Sequence, residues 1–287
     1  MYHYDYFIAG LLLRVNSPFA LREQPELSDF EIEYSPAAVP DAVYTLQLLP
    51  DDWKIEGTKL YEDRQNAFYE YSGEVHRYYF WNVFSKDYYV LLRHKKDDLR
   101  NFFLCLPTSQ VERIVPQFRL SAFLSMERLA LHHQGFFLHA SVIDWQGKGI
   151  LFTAPSGVGK STQANLWHQL EGAQILNGDR ALIRYRQGTF SAHGSPYAGT
   201  SGVFLNKAVA ISAIVVISQG TQNRISQLPS TEAFQKLLQE SSAHYWDQEF
   251  INGISELLLS LIAKVPVFHL SCLPDAGAVA ILKGELS

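Results

Sequence analysis

The stretch Phe152-Thr153-Ala154-Pro155-Ser156-Gly157-Val158-Gly159-Lys160-Ser161-Thr162 is the most informative part of this chain. It passes from an apolar strand through a glycine-containing loop to a helix start, which is the order of a phosphate-binding loop. In such loops backbone N–H groups surround a phosphate, the lysine contacts the β- and γ-oxygens, and the hydroxyl binds Mg²⁺. We therefore predict a nucleotide site formed by Ser156, Gly157, Val158, Gly159, Lys160, Ser161 and Thr162.

The stretch departs at one position from the usual pattern G-x-x-x-x-G-K-[ST]. Ala154 stands where the first glycine is expected, whereas the end that carries the ligand contacts, Gly159-Lys160-Ser161, is intact. The N-terminus of the following helix adds a positive dipole that favours an anion. The alternative interpretation is an ordinary strand-to-helix turn that binds nothing.

Bulk composition narrows the class of protein. The chain has 287 residues, 47% of them hydrophobic, and a formal net charge of -5. A net negative charge does not favour nucleic acid as a partner, because its binding depends on neutralisation of the phosphates by basic residues. Cys105 and Cys272 are too few for a disulfide framework or a C-x-x-C metal site. With no basic signal region at the N-terminus and no apolar run of about 20 residues, we expect a cytoplasmic protein without a membrane partner.

The composition changes along the chain and predicts two domains. Twelve of the fifteen tyrosines lie between Tyr2 and Tyr89. Aromatic and β-branched segments separated by turn residues predict a β-rich, mostly antiparallel N-terminal domain over 1–108, which would present or select a substrate. Apolar residues at helical spacing from Val111 to His132, with Pro116 near the first turn, predict a connecting helix over 109–135. The predicted N-terminal strands are Tyr6 to Val15, Phe30 to Tyr34, Val43 to Leu49, Ala67 to Tyr71, His76 to Val83 and Tyr88 to His94.

The third segment, 136–287, contains the phosphate loop and mixes strands with helices. Its pattern predicts an α/β (α+β) domain, with helices where apolar residues recur at helical spacing and a buried strand in the apolar run from Val209 to Ser218. The predicted strands are Phe136 to Trp145, Lys148 to Thr153, Gln174 to Asn177, Ala181 to Arg186, Thr189 to His193, Val209 to Ser218 and Val267 to Cys272. The predicted helices are Thr162 to Leu170, Thr231 to Ser242 and Gln248 to Lys264.

A nucleotide site of this kind needs a further acidic residue. Mg²⁺ is usually held by one or two carboxylates in addition to phosphates. Asp179 is the candidate, because it follows a short apolar strand nineteen residues after Lys160, the interval left by one helix and one strand. The alternative for Asp179 is a solvated carboxylate in a turn.

At this point the chain resembles a known family. The segment Leu138-His139-Ala140-Ser141-Val142-Ile143-Asp144-Trp145-Gln146-Gly147-Lys148-Gly149-Ile150-Leu151, followed by Ser156-Gly157-Val158-Gly159-Lys160-Ser161, is similar to the catalytic domain of HPr kinase/phosphorylase. More distantly, the same order resembles ATP-dependent phosphoenolpyruvate carboxykinase. The resemblance covers about 136–287 and implies a P-loop domain with a mixed β-sheet.

The resemblance also implies roles for individual residues. Lys160 would contact the β- and γ-phosphates, Ser161 would bind Mg²⁺, and His139 would lie near the transferred phosphoryl group. A histidine there could accept the proton of the substrate hydroxyl or donate a hydrogen bond to the γ-phosphate, and the alternative is a histidine hydrogen-bonded where a strand begins. Asp179 matches the first aspartate of the family's acidic pair, which is associated with metal binding and with activation of the attacking hydroxyl. Arg180 stands where the second aspartate is expected. Arg180 would either stabilise charge on the phosphoryl group or point to solvent.

Together these features predict a Mg²⁺- and ATP-dependent kinase with a catalytic set of His139, Lys160, Asp179 and Arg180. Its acceptor would be a hydroxyl of a peptide, a protein or a small molecule. A second glycine-bearing loop over 193–202 is a candidate for closing over substrate, or an ordinary surface loop. The main rival is an ATP-binding regulator without phosphoryl transfer, and a carboxykinase-like lyase ranks below both. Relatives of this type often assemble as homo-oligomers, but nothing in the sequence locates an interface.

Overall fold

The computed structural model describes residues 1–82, 87–114, 119–197 and 199–286. The chain divides into two compact units, Met1–Ser125 and Met126–Ser287. Both contain a mixed β-sheet, and the α-helices that pack on a sheet belong to the second unit. The protein is therefore a mixed α/β chain of the α+β kind. Within the described ranges, no helix is both long and apolar enough to cross a membrane.

The first unit is built around one sheet of short strands in the order β3-β1-β2-β4-β9-β8-β7-β6-β5. Alternating burial along β2 and β4 places one face of these strands in the core. Most neighbours run antiparallel, as predicted, but β2 with β4 and β4 with β9 are parallel. The strands are β1 Tyr2–Ile8, β2 Leu11–Ser17, β3 Glu31–Ile32, β4 Ala42–Leu49, β5 Thr58–Glu62, β6 Asn66–Tyr71, β7 Glu74–Asn82, β8 Asp87–Lys95 and β9 Asn101–Pro107.

The predicted first strand, Tyr6 to Val15, is wrong because a tight hairpin interrupts it. Ala9 and Gly10 have φ of 52° and 78° and reverse the chain between β1 and β2. Two positive φ angles at the centre of a two-residue turn suit the twist of paired strands. Alanine is an unusual residue at such a position, so Gly10 is the one residue of the turn that signals it in the sequence.

The predicted helix from Val111 to His132 is also not formed. Two short helices, α1 Val111–Ile114 and α2 Glu127–His132, lie at its ends, with a 3₁₀ turn at Leu120–Phe123 between them. Arg119 is extended and Ser125 has φ of 42°, so the helical spacing of apolar residues does not continue into one helix. Pro116, predicted near the first turn, lies outside the described residues. The boundary between the two units falls inside this segment.

The second unit follows the predicted order of elements closely. Its strands are β10 Gly135–Trp145, β11 Lys148–Thr153, β12 Gln174–Asn177, β13 Arg180–Arg186, β14 Thr189–His193, β15 Ala208–Gln219, β16 Arg224–Gln227 and β17 Val267–Cys272. Its longer helices are α3 Lys160–Glu171, α4 Ser230–Glu240, α5 Gln248–Ile262 and α6 Ala276–Glu285. Two of these elements, β16 and α6, were not predicted.

The sheet of this unit runs β11-β10-β13-β14-β15-β17-β16, with β12 beside β10 and a further pairing of β11 with β15. Strands β11, β15 and β17 are parallel to one another. Their last residues, Thr153, Gln219 and Cys272, therefore lie at the same edge of the sheet. In open α/β sheets ligands bind outside the carboxyl ends of such strands. The stretch that is predicted to be a phosphate loop begins at that edge.

Side chains on the two faces of these strands form separate cores. On one face Leu151 and Ile214 pack with residues of α4 and α5, and on the other Ile150 and Phe152 pack with residues of α3 and α6. Trp167 of α3 is fully buried and its ring meets that of Trp145 at 5.1 Å in a T-shaped contact. Truncating such a residue costs about 3–5 kcal/mol, so this contact fixes α3 and the loop before it to the sheet.

Candidate functional site

The phosphate-loop stretch forms the strand, loop and helix that its sequence predicts. Strand β11 ends at Thr153 and helix α3 begins at Lys160. Gly157 and Gly159 have φ of 81° and 131°, conformations that L side chains rarely adopt. A Cβ at either glycine would meet no described atom within 4 Å, so backbone angles rather than crowding require glycine here. The residue matching the first glycine of the pattern, Ala154, is buried.

The first turn of α3 is open to a ligand. Its N-cap residue, Gly159, offers no side-chain cap to the first N–H groups, which have no carbonyl partner within a helix. Ser156, Ser161 and Thr162 are exposed around this turn, and Val158 is half-buried. Free N–H groups and the helix dipole together favour an anion at such a terminus.

Lys160 is buried, and its ammonium group lies beside the loop. Its Nζ donates to the carbonyl oxygen of Ala154 at 2.8 Å, and only 6% of the residue is exposed. Burial lowers the pKa of Lys160, whereas the charges of Glu240 and Asp179 act to raise it. The lysine is therefore in electrostatic contact with two carboxylates that arrive from distant parts of the sequence.

His139 lies between these two carboxylates. Its Nε2 is 3.3 Å from Oδ1 of Asp179 and its Nδ1 is 2.9 Å from Oε2 of Glu240. The hydrogen bond to Asp179 is the main cause that raises the pKa of His139, with Glu240 adding to it and burial and Lys160 opposing it. The same hydrogen bond is the main cause that lowers the pKa of Asp179. The three side chains form a charge-assisted group that we call the His139 cluster.

His139 lies on β10 between the residues that pair with β13 and the residues that pair with β11. His139 pairs with Arg180 of β13, and the next residue, Ala140, pairs with Thr153 at the end of β11. The hydroxyl of Thr153 donates to the carbonyl oxygen of His139 at 2.9 Å. The start of the phosphate loop is thereby fixed to the histidine.

Asn177 holds the turn that carries Asp179 and Arg180. This residue is fully buried, and its Oδ1 accepts from the N–H groups of Asp179 at 3.0 Å and Arg180 at 2.8 Å. Its Nδ2 donates to the carbonyl oxygen of Ser195 at 3.0 Å, in the second glycine-bearing loop. One buried amide therefore joins the Asp179 turn to that loop.

The second glycine-bearing loop packs closely against Asp179. A Cβ on Gly199, whose φ is 55°, would lie 2.6 Å from Cγ of Asp179, so a side chain there would displace the carboxylate. The guanidinium of Arg180 lies over the ring of Tyr197 at 5.4 Å. Ala198, within this loop, lies outside the described residues.

Three of the residues predicted from sequence thus meet in one place, and a fourth member was missed. The structure joins His139 to Asp179 and puts Lys160 within reach of their charges, while Arg180 turns to Tyr197. Glu240, 101 residues from His139, was not predicted. A signal was present: Glu240 is an acidic residue in the last turn of α4, where the helix dipole disfavours negative charge.

The donor set of this site fits Mg²⁺. Within the described ranges no group of three or more His, Cys, Asp or Glu side chains is arranged to hold a metal ion by itself. Mg²⁺ prefers oxygen ligands and keeps several waters, so it needs few protein ligands. The carboxylate of Asp179 is 39% exposed and the hydroxyl of Ser161 is exposed, and both offer hard oxygen donors.

Comparisons with known proteins place the chain in a family. The fold defines a mixed α/β protein, and the family model "SynChlorMet cassette protein ScmC" matches residues 105–274, more than half of the chain. The protein belongs to this ScmC family. None of the curated proteins matches the sequence. The structure of the Hpr(Ser) kinase/phosphatase from Coxiella burnetii is similar over 52% of this chain and 86% of that one, at 11% identity and a TM-score of 0.30.

Proposed function

We propose that this protein is a Mg²⁺-dependent kinase that transfers the γ-phosphoryl group of ATP to a hydroxyl. The observation that carries the proposal is the His139 cluster, in which one histidine joins Asp179 and Glu240 beside the phosphate-loop lysine. Phosphoryl transfer needs positioned charge more than covalent chemistry, and the cluster provides both signs of charge next to an anion-binding helix terminus.

The chain's residues divide the work. Lys160 and the N–H groups of Gly157, Gly159 and the first turn of α3 bind the phosphates of ATP. Asp179 and Ser161 hold Mg²⁺, which neutralises charge on the phosphate oxygens when it is bound. In this arrangement Lys160 releases the carbonyl of Ala154, its partner in the structure, and turns to the phosphates.

His139 acts as the connection between the two carboxylates rather than as the base. Both of its nitrogens face carboxylate oxygens, and its raised pKa favours the imidazolium form that donates to each. Glu240 is then available to orient the acceptor and take its proton. The acceptor oxygen bonds to the γ-phosphorus, the bond from that phosphorus to the β–γ bridging oxygen breaks, and ADP leaves.

The test uses Lys160→Ala and Asp179→Asn in assays of nucleotide binding and of ATP turnover. Lys160→Ala should weaken ATP binding at least tenfold, since it removes a charged partner of the phosphates. Asp179→Asn should lower turnover and raise the Mg²⁺ concentration that half-maximal turnover needs, because it removes a carboxylate ligand of the ion. Lys148→Ala and Asp144→Asn are matched controls, because Lys148 bonds the carbonyl of Leu286 and Asp144 bonds the N–H of Gly147 in a hairpin. Unchanged turnover in both test variants would contradict the proposal.

A second candidate is an ATP-binding regulator without phosphoryl transfer. The position and contact of Arg180 favour it, since this arginine replaces an acidic residue of the resembling family and lies against Tyr197. Tight binding of Mg-ATP with no phosphorylated product in a broad acceptor screen would support this candidate over the kinase.

A further inference from the structure

Two separate cavities border the phosphate loop of the second unit. The larger, of about 380 Å³, lies beside the glycines of the loop and the first turn of α3. The smaller, of about 170 Å³, lies beside the start of the loop and under α4. The smaller cavity is lined by Thr153, Ala154, Pro155, Val216, Ile217, Ser218, Leu228, Glu232, Lys236, Gln239, Glu240 and His269.

We propose that the smaller cavity binds the phosphoryl acceptor and that this acceptor is a free hydroxyl amino acid. The proposal rests on the kinase function above. The larger cavity borders the glycines of the turn that would hold the phosphates, whereas the smaller one borders the start of the loop and Glu240, so each can take one of the two substrates. Glu240 belongs both to the smaller cavity and to the His139 cluster, which places the acceptor next to the reacting groups.

Size favours a compact solute over a folded protein surface. The cavity of about 170 Å³ is smaller than the ~300–1,000 Å³ typical of sites for drug-sized ligands. Helix α4 covers it with residues that recur on one helix face, at positions 232, 236, 239 and 240. A molecule with few heavy atoms fits under such a helix, whereas a folded domain does not.

The charges at the rim select the class of solute. Glu232 and Lys236 are exposed, have opposite signs and stand four residues apart on α4. An ammonium group can face Glu232 while a carboxylate faces Lys236. A solute with one net charge would meet a like charge at one of these residues, so a zwitterion is the best match.

The inner wall provides a hydrogen-bonding pair for the remaining polar group. The hydroxyl of Ser218 at the end of β15 lies 2.8 Å from Nε2 of His269 on the neighbouring strand β17. Both residues are half-buried and line the cavity. The pair can donate to or accept from the substrate and hold its hydroxyl toward Glu240.

Binding is tested by calorimetric titration of the full chain with L-serine and L-threonine, with and without a non-hydrolysable ATP analogue. Both amino acids should bind. N-acetyl-L-serine amide, which lacks both charges, and glycerol should bind at least tenfold more weakly. Ser218→Ala and Lys236→Gln should each raise the Kd for L-serine about tenfold. Ser255→Ala is the control, because this α5 serine bonds the carbonyl of Ile251 away from the cavity and its loss should leave the Kd unchanged.

The outcomes separate this inference from the kinase proposal. Glu232→Gln and Lys236→Gln change exposed residues, so weakened binding in them does not come from unfolding. Binding of L-serine without formation of phosphoserine from ATP would support the cavity assignment and count against the kinase. Phosphorylation of a serine peptide, with free serine neither bound nor phosphorylated, would overturn the assignment and leave the kinase standing. Equal binding of the blocked and free serine would also overturn it.

Discussion

His139 on β10 and Glu240 at the end of α4 are 101 residues apart in the sequence, and Nδ1 of the one lies 2.9 Å from Oε2 of the other. This contact connects β10, the antiparallel neighbour of the strand that leads into the predicted phosphate loop, with the helix that covers the smaller cavity. The acid–base properties of His139 therefore report on both sides of the site.

The first prediction concerns the pKa of His139. Asp179→Asn should lower it more than Glu240→Gln, since the hydrogen bond to Asp179 is the larger cause of its raised value. Both variants remove a negative charge that favours the imidazolium form. NMR titration of the His139 ring protons measures the shift, and Asp144→Asn should leave it unchanged. A larger fall in Glu240→Gln would show that the order of the two contacts is wrong.

The sign of this shift also sets a dependence of stability on pH. The pKa of His139 in the folded state is above its ordinary value of 6.5. The stabilisation of the folded state by the protonated ring is therefore fully present below pH 6.5, and it is lost as the pH rises through the folded-state pKa. The difference in free energy of unfolding between the wild type and His139→Gln should therefore shrink above pH 6.5. Urea unfolding at several pH values measures it, and a difference that grows with pH would contradict the cluster.

A second histidine should act in the opposite direction. Burial, with Arg184 and Arg186 nearby, lowers the pKa of His193 from 6.5 to about 4. Between these values the unfolded chain takes up a proton and the folded chain does not, so stability falls as the pH drops from 6.5. The difference of about 2.5 pH units corresponds to a loss of about 3.5 kcal/mol, at about 1.4 kcal/mol per pH unit. His193→Gln should reduce the change of the free energy of unfolding with pH between 4 and 6.5. If that change is the same as in the wild type, His193 is not the group responsible for it.

The glycine at the start of α3 should be sensitive to substitution for a backbone reason. Gly159→Ala forces a side chain onto φ of 131° and should cost about 1–3 kcal/mol and weaken ATP binding. Gly284→Ala is the matched control, because this exposed residue lies within α6 and a Cβ there has open space among the described atoms. The control should gain about 0.5–1 kcal/mol from helix propensity. Thermal unfolding and nucleotide titration test both, and equal effects would reject the backbone explanation.

The buried amide of Asn177 should matter for both stability and the site. Asn177→Ala leaves the N–H groups of Asp179 and Arg180 without their acceptor and should cost about 2–4 kcal/mol. Asn223→Ala, which removes an amide whose contacts to Asp275 and Leu273 are exposed, should cost less than about 1.5 kcal/mol. Asn177→Asp keeps the acceptor and should retain more activity than Asn177→Ala. Denaturant titration and ATP turnover decide between these outcomes.

Local patterns predicted much of the second unit because its elements are continuous in sequence. Strands β12 and β17 have the predicted limits, and β15 and α5 differ by one or two residues. Alternating or unbroken apolar runs mark such elements wherever they pack. The hairpin between β1 and β2 was missed because Ala9 adopts a conformation that alanine seldom takes.

The residues of the site that lie close to the predicted phosphate loop in the sequence could be predicted. A residue that reaches the site through the packing of a distant helix could not. Asp179 could be placed by its distance from Lys160, because one helix and one strand separate them. Glu240 enters only through the packing of α4 next to β10, seen in the bridge between Leu138 and Ser241. No local periodicity encodes a contact across 101 residues.

The division of the His139 cluster between a strand and a helix has a consequence for how such proteins diverge. His139 and Asp179 are fixed by the register of the sheet, where a shift of one residue would reverse every side chain. The exposed residues of α4 are under no such constraint, so Glu232, Lys236 and Gln239 can be exchanged without disturbing the sheet. The exposed residues of α4 can accordingly vary among members of the family while the pairing that positions His139 and Asp179 is kept.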